Sequence, residues 1–268
     1  MAAYVLSQWH ADPSVVLGLL ALVFVYWRYA YGPPSTTHDM SCRRRDGCVL
    51  AIVLLTILAL ESPLDFLADG YLFSAHMVQH LILTLAIAPL LVLAVPPRLV
   101  EDARRYAPGW LRWAATQPAI VFTAAAADLW LWHAPTLYEL TLRNDAVHVF
   151  EHLTFVATAA AFWWVAFAPG GGGLPILGRI AYVFLGGIPN AVLGALITFA
   201  PAPLYPSYQL ALEQPGLGRV LELQYGVTAA GDQQLGGLLM WVPGGFVYLA
   251  VIVAIFLAWY ARQQLAQA

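Results

Sequence analysis

Seven apolar stretches, each near the length of a bilayer-crossing helix, divide this chain and constrain its fold more than any motif does. An α-helix rises about 1.5 Å per residue, so a span takes about 20 apolar residues. Within the hydrocarbon every backbone N–H and C=O must find its partner inside the protein, which a helix provides. The stretches cover residues 14–31, 47–60, 71–95, 118–133, 146–168, 177–200 and 235–261. Turn formers mark their edges: Pro63, Pro96 and Pro97, Pro135, Pro169 with Gly170 to Gly173, and Pro201 with Pro203. Pro89, Pro189 and Pro243 fall inside the runs, where kinks are expected and membrane helices tolerate them. The first run has no basic stretch before it and no small-residue cleavage site after it, which predicts a span and not a signal peptide. With no repeat and no soluble segment of domain size, the expectation is an all-α polytopic membrane protein. It is one transmembrane domain over residues 1–268, built as a seven-transmembrane-helix bundle.

Charge orients the bundle. Only 10% of the residues are charged, against roughly 25% in a soluble domain. The net charge of −3 offers no basic face for nucleic acid. There is no lysine, so a retinal Schiff base is excluded; the fixed positive charges are arginines. Seven spans place Arg28, Arg43, Arg44, Arg45, Arg98, Arg104, Arg105, Arg112, Arg179 and Arg262 on one side and only Arg143 and Arg219 on the other. Arginine marks the cytoplasmic side, so the N-terminus is expected outside and the C-terminus inside. Cys42 and Cys48 lie in a polar loop with neither zinc-finger nor disulfide-framework spacing, and read as ordinary thiols.

On this map His10, His76, His80, His133, His148 and His152 all lie at or near the outer surface, and only His38 lies inside. His76 and His80, and again His148 and His152, are four residues apart, which puts each pair on one helix face. Each pair covers about 6 Å of depth, so four imidazoles can converge at one level, with His133 arriving from the fourth span. A single interfacial histidine usually bonds only a carbonyl or water. Two such pairs at one depth point to a metal or haem site, since ionisable groups inside a membrane are costly and mark function. Neutral imidazole suits copper, zinc, iron and nickel; a thiolate-free pocket facing an oxidising compartment favours copper, with zinc or a single haem as alternatives. Asp128, about a turn and a half deeper, Asp232, Met77, Met240 and His10 are possible additional ligands. For Asp232 a helix N-cap is favoured, and for the methionines packing. Glu151 is expected to point off the histidine face as a supporting acid. No nucleophile–base pair, phosphate loop or nucleotide motif is present, so no catalysis is expected.

Several segments are familiar as a set. Ser74, His76, Gln79 and His80 precede Ala88, Pro89 and Pro96. Trp132, His133, Pro135 and Tyr138 precede His148, Glu151 and His152. Pro189 with Asn190, Thr198 to Tyr205, and Asp232 to Trp241 follow in order. Together they resemble the seven-helix assembly factors of caa3-type cytochrome c oxidase (CtaG, Bacillus type), over nearly the whole chain. The resemblance implies a non-enzymatic, copper-binding assembly factor of the bacterial cytoplasmic (inner) membrane. It would help mature a haem–copper cytochrome c oxidase, its partner in the bilayer, with His76, His80, His133, His148 and His152 matching the family motifs. A copper transporter or a haem-binding redox protein is the alternative. The apolar inner halves of the third and fifth spans speak against transport.

Overall fold

A computed structural model describes residues 2–32, 40–168 and 173–267; His38 and glycines 170–172 lie outside the described residues. Among those residues the fold is helical, with no strand. The main helices are α1 (Pro13–Ala30), α2 (Met40–Leu60), α3 (Pro63–Gly70) and α4, which runs through Phe73–Leu81, Ile82–Ile87 and Ala88–Ala94. They continue as α5 (Pro97–Tyr106), α6 (Gly109–Ala115), α7 (Pro118–Trp132), α8 (Pro135–Thr141), α9 (Asp145–Phe167), α10 (Ile176–Thr198), α11 (Pro206–Glu213), α12 (Leu217–Tyr225) and α13 (Ala229–Gln267).

The starts follow from local chemistry. Pro13, Pro63, Pro97, Pro118, Pro135 and Pro206 each take the first helical position, where a missing N–H costs nothing. Asp12, Ser62 and Asn144 accept from backbone N–H groups of the first turns of α1, α3 and α9.

Five helices (α1, α4, α9, α10 and α13) are long and apolar enough to cross a membrane. A sixth span results if α2 from Arg43 and α3, bent by 44° to each other, count as one. α7 is apolar but only 15 residues long. The chain is therefore a multi-pass helical membrane protein. Two expected boundaries move. α2 begins at Met40 and not at residue 47, because Asp46 is held by the hydroxyls of Tyr26 and Tyr31, each at 2.7 Å, and the polar turn winds into helix. Cys48 is thus a free thiol on a helix, not in a loop; the side chain of Cys42 lies outside the described residues. α13 begins at Ala229, with Thr228 accepting from the Gly231 N–H.

α4 is the central rod and packs against α2, α9 and α13. Its middle turn, Ile82–Ile87, is a π-helix. Pro89 lacks an N–H and crowds the carbonyl one turn back, and the ladder adjusts by a residue: the Ala88 N–H bonds Leu83 O instead of Thr84 O. The Thr84 carbonyl so released accepts from the Trp163 indole of α9 at 2.8 Å. α10 and α13 pair most extensively. There Gly194 faces Gly237 so closely that a methyl group at Gly194 would stand 2.9 Å from the Gly237 carbonyl oxygen, the close approach that small residues allow in membrane helices.

Trp163→Phe leaves the Thr84 carbonyl unpaired in an apolar interior. We expect a loss of about 1–2 kcal/mol in the unfolding midpoint of the detergent-solubilised protein; an unchanged midpoint would show that the carbonyl is not supported by the indole.

Candidate metal centre

The first two turns of α4 and of α9 face each other at one end of the bundle, bringing His76 and His80 against His148, Glu151 and His152. His76 and His80 project from one face, their Nε2 atoms 2.9 Å apart. Glu151 presents its oxygens 3.7 Å from His80 Nε2 and 4.0 Å from His76 Nε2. Ligand atoms of His76, His80, Glu151 and His152 all lie within 4.8 Å of one another. His76 and Glu151 are both 0% exposed. Two ligands of a tetrahedral ion bound at about 2.0–2.1 Å stand about 3.3 Å apart; the nitrogen pair and the nearer oxygen bracket that spacing.

Apart from the contact between the two Nε2 atoms, the surroundings offer the cluster few partners. Tyr208 spends its single proton on the Ala68 carbonyl at 2.9 Å, so the 3.1 Å contact to His76 Nδ1 has the imidazole as donor. His76 is then the Nδ1–H tautomer, and its Nε2 turns a bare lone pair into the cluster. Burial pushes the Tyr208 phenol well above its ordinary pKa, keeping it neutral in this role. Glu151 Oε1 and Oε2, His80 Nδ1, His148 Nε2 and His152 Nε2 are buried without a hydrogen-bond partner in the protein. The Thr141 hydroxyl near Glu151 turns instead to the Tyr138 carbonyl at 2.7 Å. Buried polar atoms are normally paired, and such a concentration of orphans calls for an explanation. Three imidazoles and a carboxylate without a thiolate are a donor set that a copper or zinc ion satisfies.

Of the five histidines expected as ligands, His76, His80 and His152 meet in this set. His148 belongs to an adjoining one, with Asp69 and His76. His133 stands beside the first set, its ring 5.7 Å from that of His80. Its Nδ1 contacts Leu129 O at 2.7 Å and its Nε2 faces Met77 Sδ at 3.4 Å. Met77 is thus a contact of His133, within the core around Phe73 and Tyr138.

The remaining candidates lie elsewhere. Asp128 accepts from Trp132 Nε1 at 3.1 Å and Thr158 Oγ1 at 2.9 Å, joining α7 to α9 one level deeper. Met240 packs in the core, its carbonyl accepting from Asn190. His10 pairs with Asp65 at 3.2 Å on the rim. Asp232 does not cap its own helix, because α13 starts three residues earlier. It caps α4 from across the interface, accepting from the Ser74 N–H at 3.3 Å and from the Ser74 hydroxyl. Leu72, at the N-cap position of α4, has no side chain able to do this.

The residue missed in the sequence is Glu151. It does not point off the histidine face, because three residues after His148 it is only about 60° around the helix from it. Its i+3 position was the available signal. Asp69 and Tyr208 come from other elements and carried none.

A multi-pass helical protein with a buried histidine–carboxylate cluster at one end of its bundle is the class that fold and site define. Its sequence matches the family described as cytochrome c oxidase caa3 assembly factor (Caa3_CtaG) over residues 24–262, and the chain belongs to that family. It is 28% identical over 211 residues to the uncharacterized protein ML1998 of Mycobacterium leprae. It is 26% identical over 212 residues to the uncharacterized proteins Mb0105 of Mycobacterium bovis and MT0111 of Mycobacterium tuberculosis. These matches take in 72% of this chain and 30% of each relative, so the chain spans about a third of the length of the curated relatives it matches. No solved structure matches it.

Asp232→Ala removes the cap of α4 while Thr228 still caps α13. We expect about 1 kcal/mol of destabilisation and faster amide hydrogen exchange in the first turn of α4 but not of α13; equal exchange in both would contradict capping across the interface.

Proposed function

We propose that this chain is a non-catalytic copper-binding factor that helps mature a haem–copper cytochrome c oxidase. It would take copper at His76, His80, His152 and Glu151 and present it to an oxidase subunit in the membrane plane. The observation that carries the reading is the convergence of ligand atoms of His76, His80, Glu151 and His152 within 4.8 Å, with both Glu151 oxygens and His152 Nε2 buried and unpartnered, in a family of oxidase assembly factors. Copper is here the cargo: imidazole and carboxylate ligands exchange more readily than a thiolate cage, which suits an ion to be handed on. His148 and His133 flank the set and complete the histidines of this end.

The topology belongs to the same proposal. α7 serves as a span despite its 15 residues, continued by the Gln117 and His133 turns at its ends, which gives seven. The arginine distribution then puts the histidine end outside, the N-terminus out and the C-terminus in, in a bacterial cytoplasmic membrane. The whole described chain acts as one transmembrane domain.

Haem is disfavoured by space. The rings of His76, His80, His148 and His152 stand 4.2–6.1 Å apart in successive contacts, leaving no slot for a macrocycle. Transport is disfavoured by what lies beneath. Phe155 packs on His80 at 4.7 Å, and the cavity below it, lined by Thr84, Thr158 and Asn190, is about 70 Å³, room for water and not for a continuous path.

Copper per chain, measured by mass spectrometry after loading and desalting, should approach one in the wild type and vanish in a His76→Ala/His80→Ala variant, with no Soret band in either. A metal-free wild type would sink the reading, and a Soret band would replace it with the haem one. Tyr208→Phe, which releases His76 Nδ1, should weaken copper affinity about 10–100-fold in a chelator competition; an unchanged affinity would mean that the tautomer is set some other way.

A further inference from the structure

We propose that Asp69 and His148 form an outer cation site that loads the buried set through His76; this rests on the copper reading above. Asp69 ends α3 with its side chain 45% exposed, on the rim of a cleft of about 510 Å³ that His10, Asp65 and Gln214 also line. Its Oδ1 stands 3.7 Å from His148 Nδ1. Ligand atoms of Asp69, His148 and His76 lie within 4.8 Å of one another. The second nitrogen of His148 is buried and has no hydrogen-bond partner. The His148 ring is 4.2 Å from that of His152 and 5.1 Å from that of His76. His76 is common to both sets, so the two adjoin without a gap, one reaching water and the other closed from it.

The buried set alone has no such opening. Above His76 stand Tyr138 and Tyr208, joined by their hydroxyls at 3.0 Å, with Phe73 and Tyr205 packed against them. An ion approaching from water therefore meets a carboxylate first. Asp65 beside it is already engaged by His10 and Gln79, so Asp69 is the carboxylate offered at the mouth of this cleft. Passage inward is ligand exchange: bonds to Asp69 and His148 break as bonds to His80, His152 and Glu151 form. The ion keeps its oxidation state; the neutral imidazoles supply lone pairs, and the proton held on the buried, unpartnered Glu151 carboxyl leaves to water as its bond to the ion forms.

The test uses the full chain in detergent, stripped of metal and mixed rapidly with Cu(II) ions. Uptake is followed by quenching of tryptophan fluorescence, and final copper per chain is measured after desalting. Asp69→Asn should slow uptake about tenfold or more and leave the final copper unchanged. Glu213→Gln, at an exposed carboxylate of α11, should behave as wild type. Uptake by Asp69→Asn at the wild-type rate would overturn the outer site, as would equal slowing by Glu213→Gln, which would reduce the effect to general charge attraction. Loss of the final copper in Asp69→Asn would make Asp69 a ligand of the buried set and overturn the two-position arrangement. A wild type that holds no copper would remove the copper reading itself, and this inference with it.

Discussion

Where α4 faces α9, a fully buried carboxylate meets two imidazoles whose nitrogens are 2.9 Å apart. Ionisable groups in this position are expensive, because low-dielectric surroundings return little for the water they lose. The cost is tolerated only if the neighbours hold the groups in a fixed arrangement, and much of this end of the molecule does that. Asp232 fixes the first turn of α4 from α13. Tyr208 fixes one nitrogen of His76. Gln79, between the two histidines in sequence, ties that helix to the Ala59 carbonyl and to Asp65. The cluster is thus placed by four neighbouring helices at once (α2, α3, α11 and α13), and a shift of α4 would disturb all of these contacts.

The Ile82–Ile87 π-helix serves the same end. A straight α-helix carries its faces around by 100° per residue, and inserting one wide turn rotates everything beyond it. Here the wide turn separates the histidine end of α4 from its apolar half, so that the polar face can be aimed at α9 while Ala88 and Ala94 still find the cores below. The Trp163 bond to Thr84 keeps this distortion from leaving a carbonyl unpaired in an apolar interior.

How much of this was legible in the sequence divides along physical lines. Spans are written in composition and length, so α1, α4, α9 and α10 fall within a residue or two of their expected limits. Paired histidines at i,i+4 are written in helical period, and His76, His80, His148 and His152 indeed gather. What depends on a second element was not written locally. Asp232 read as a cap for its own helix because the helix that it caps is 158 residues away. Asp69 and Tyr208 come from other elements, and no local pattern marks either of them. His133 lay at the right depth, but its rotation about the end of α7 turns Nε2 toward Met77, and depth alone does not determine rotation. Glu151 shows the opposite error: the i+4 pair was taken as the whole face, when a face wide enough for a metal also takes in i+3.

The connections at the histidine end are more ordered than linkers of their length need be. Glu139 of α8 accepts from the backbone and hydroxyl of Ser207 on α11. The Tyr205 hydroxyl donates to His133 O at 3.0 Å, and Gln233 of α13 accepts from the Leu204 N–H at 2.6 Å. These bonds pin short helices outside the spans across the top of His76 with three tyrosines on their inner side. A cover held by charge-assisted and backbone bonds at both ends is poorly suited to swing open for each ion. It is well suited to keep water from a buried carboxylate, where every electrostatic contact is strengthened by the exclusion. On the proposed copper role, exchange would belong at the side of the cluster, where α3 ends and His148 lies next to Asp69, with the aromatic cover as a fixed wall.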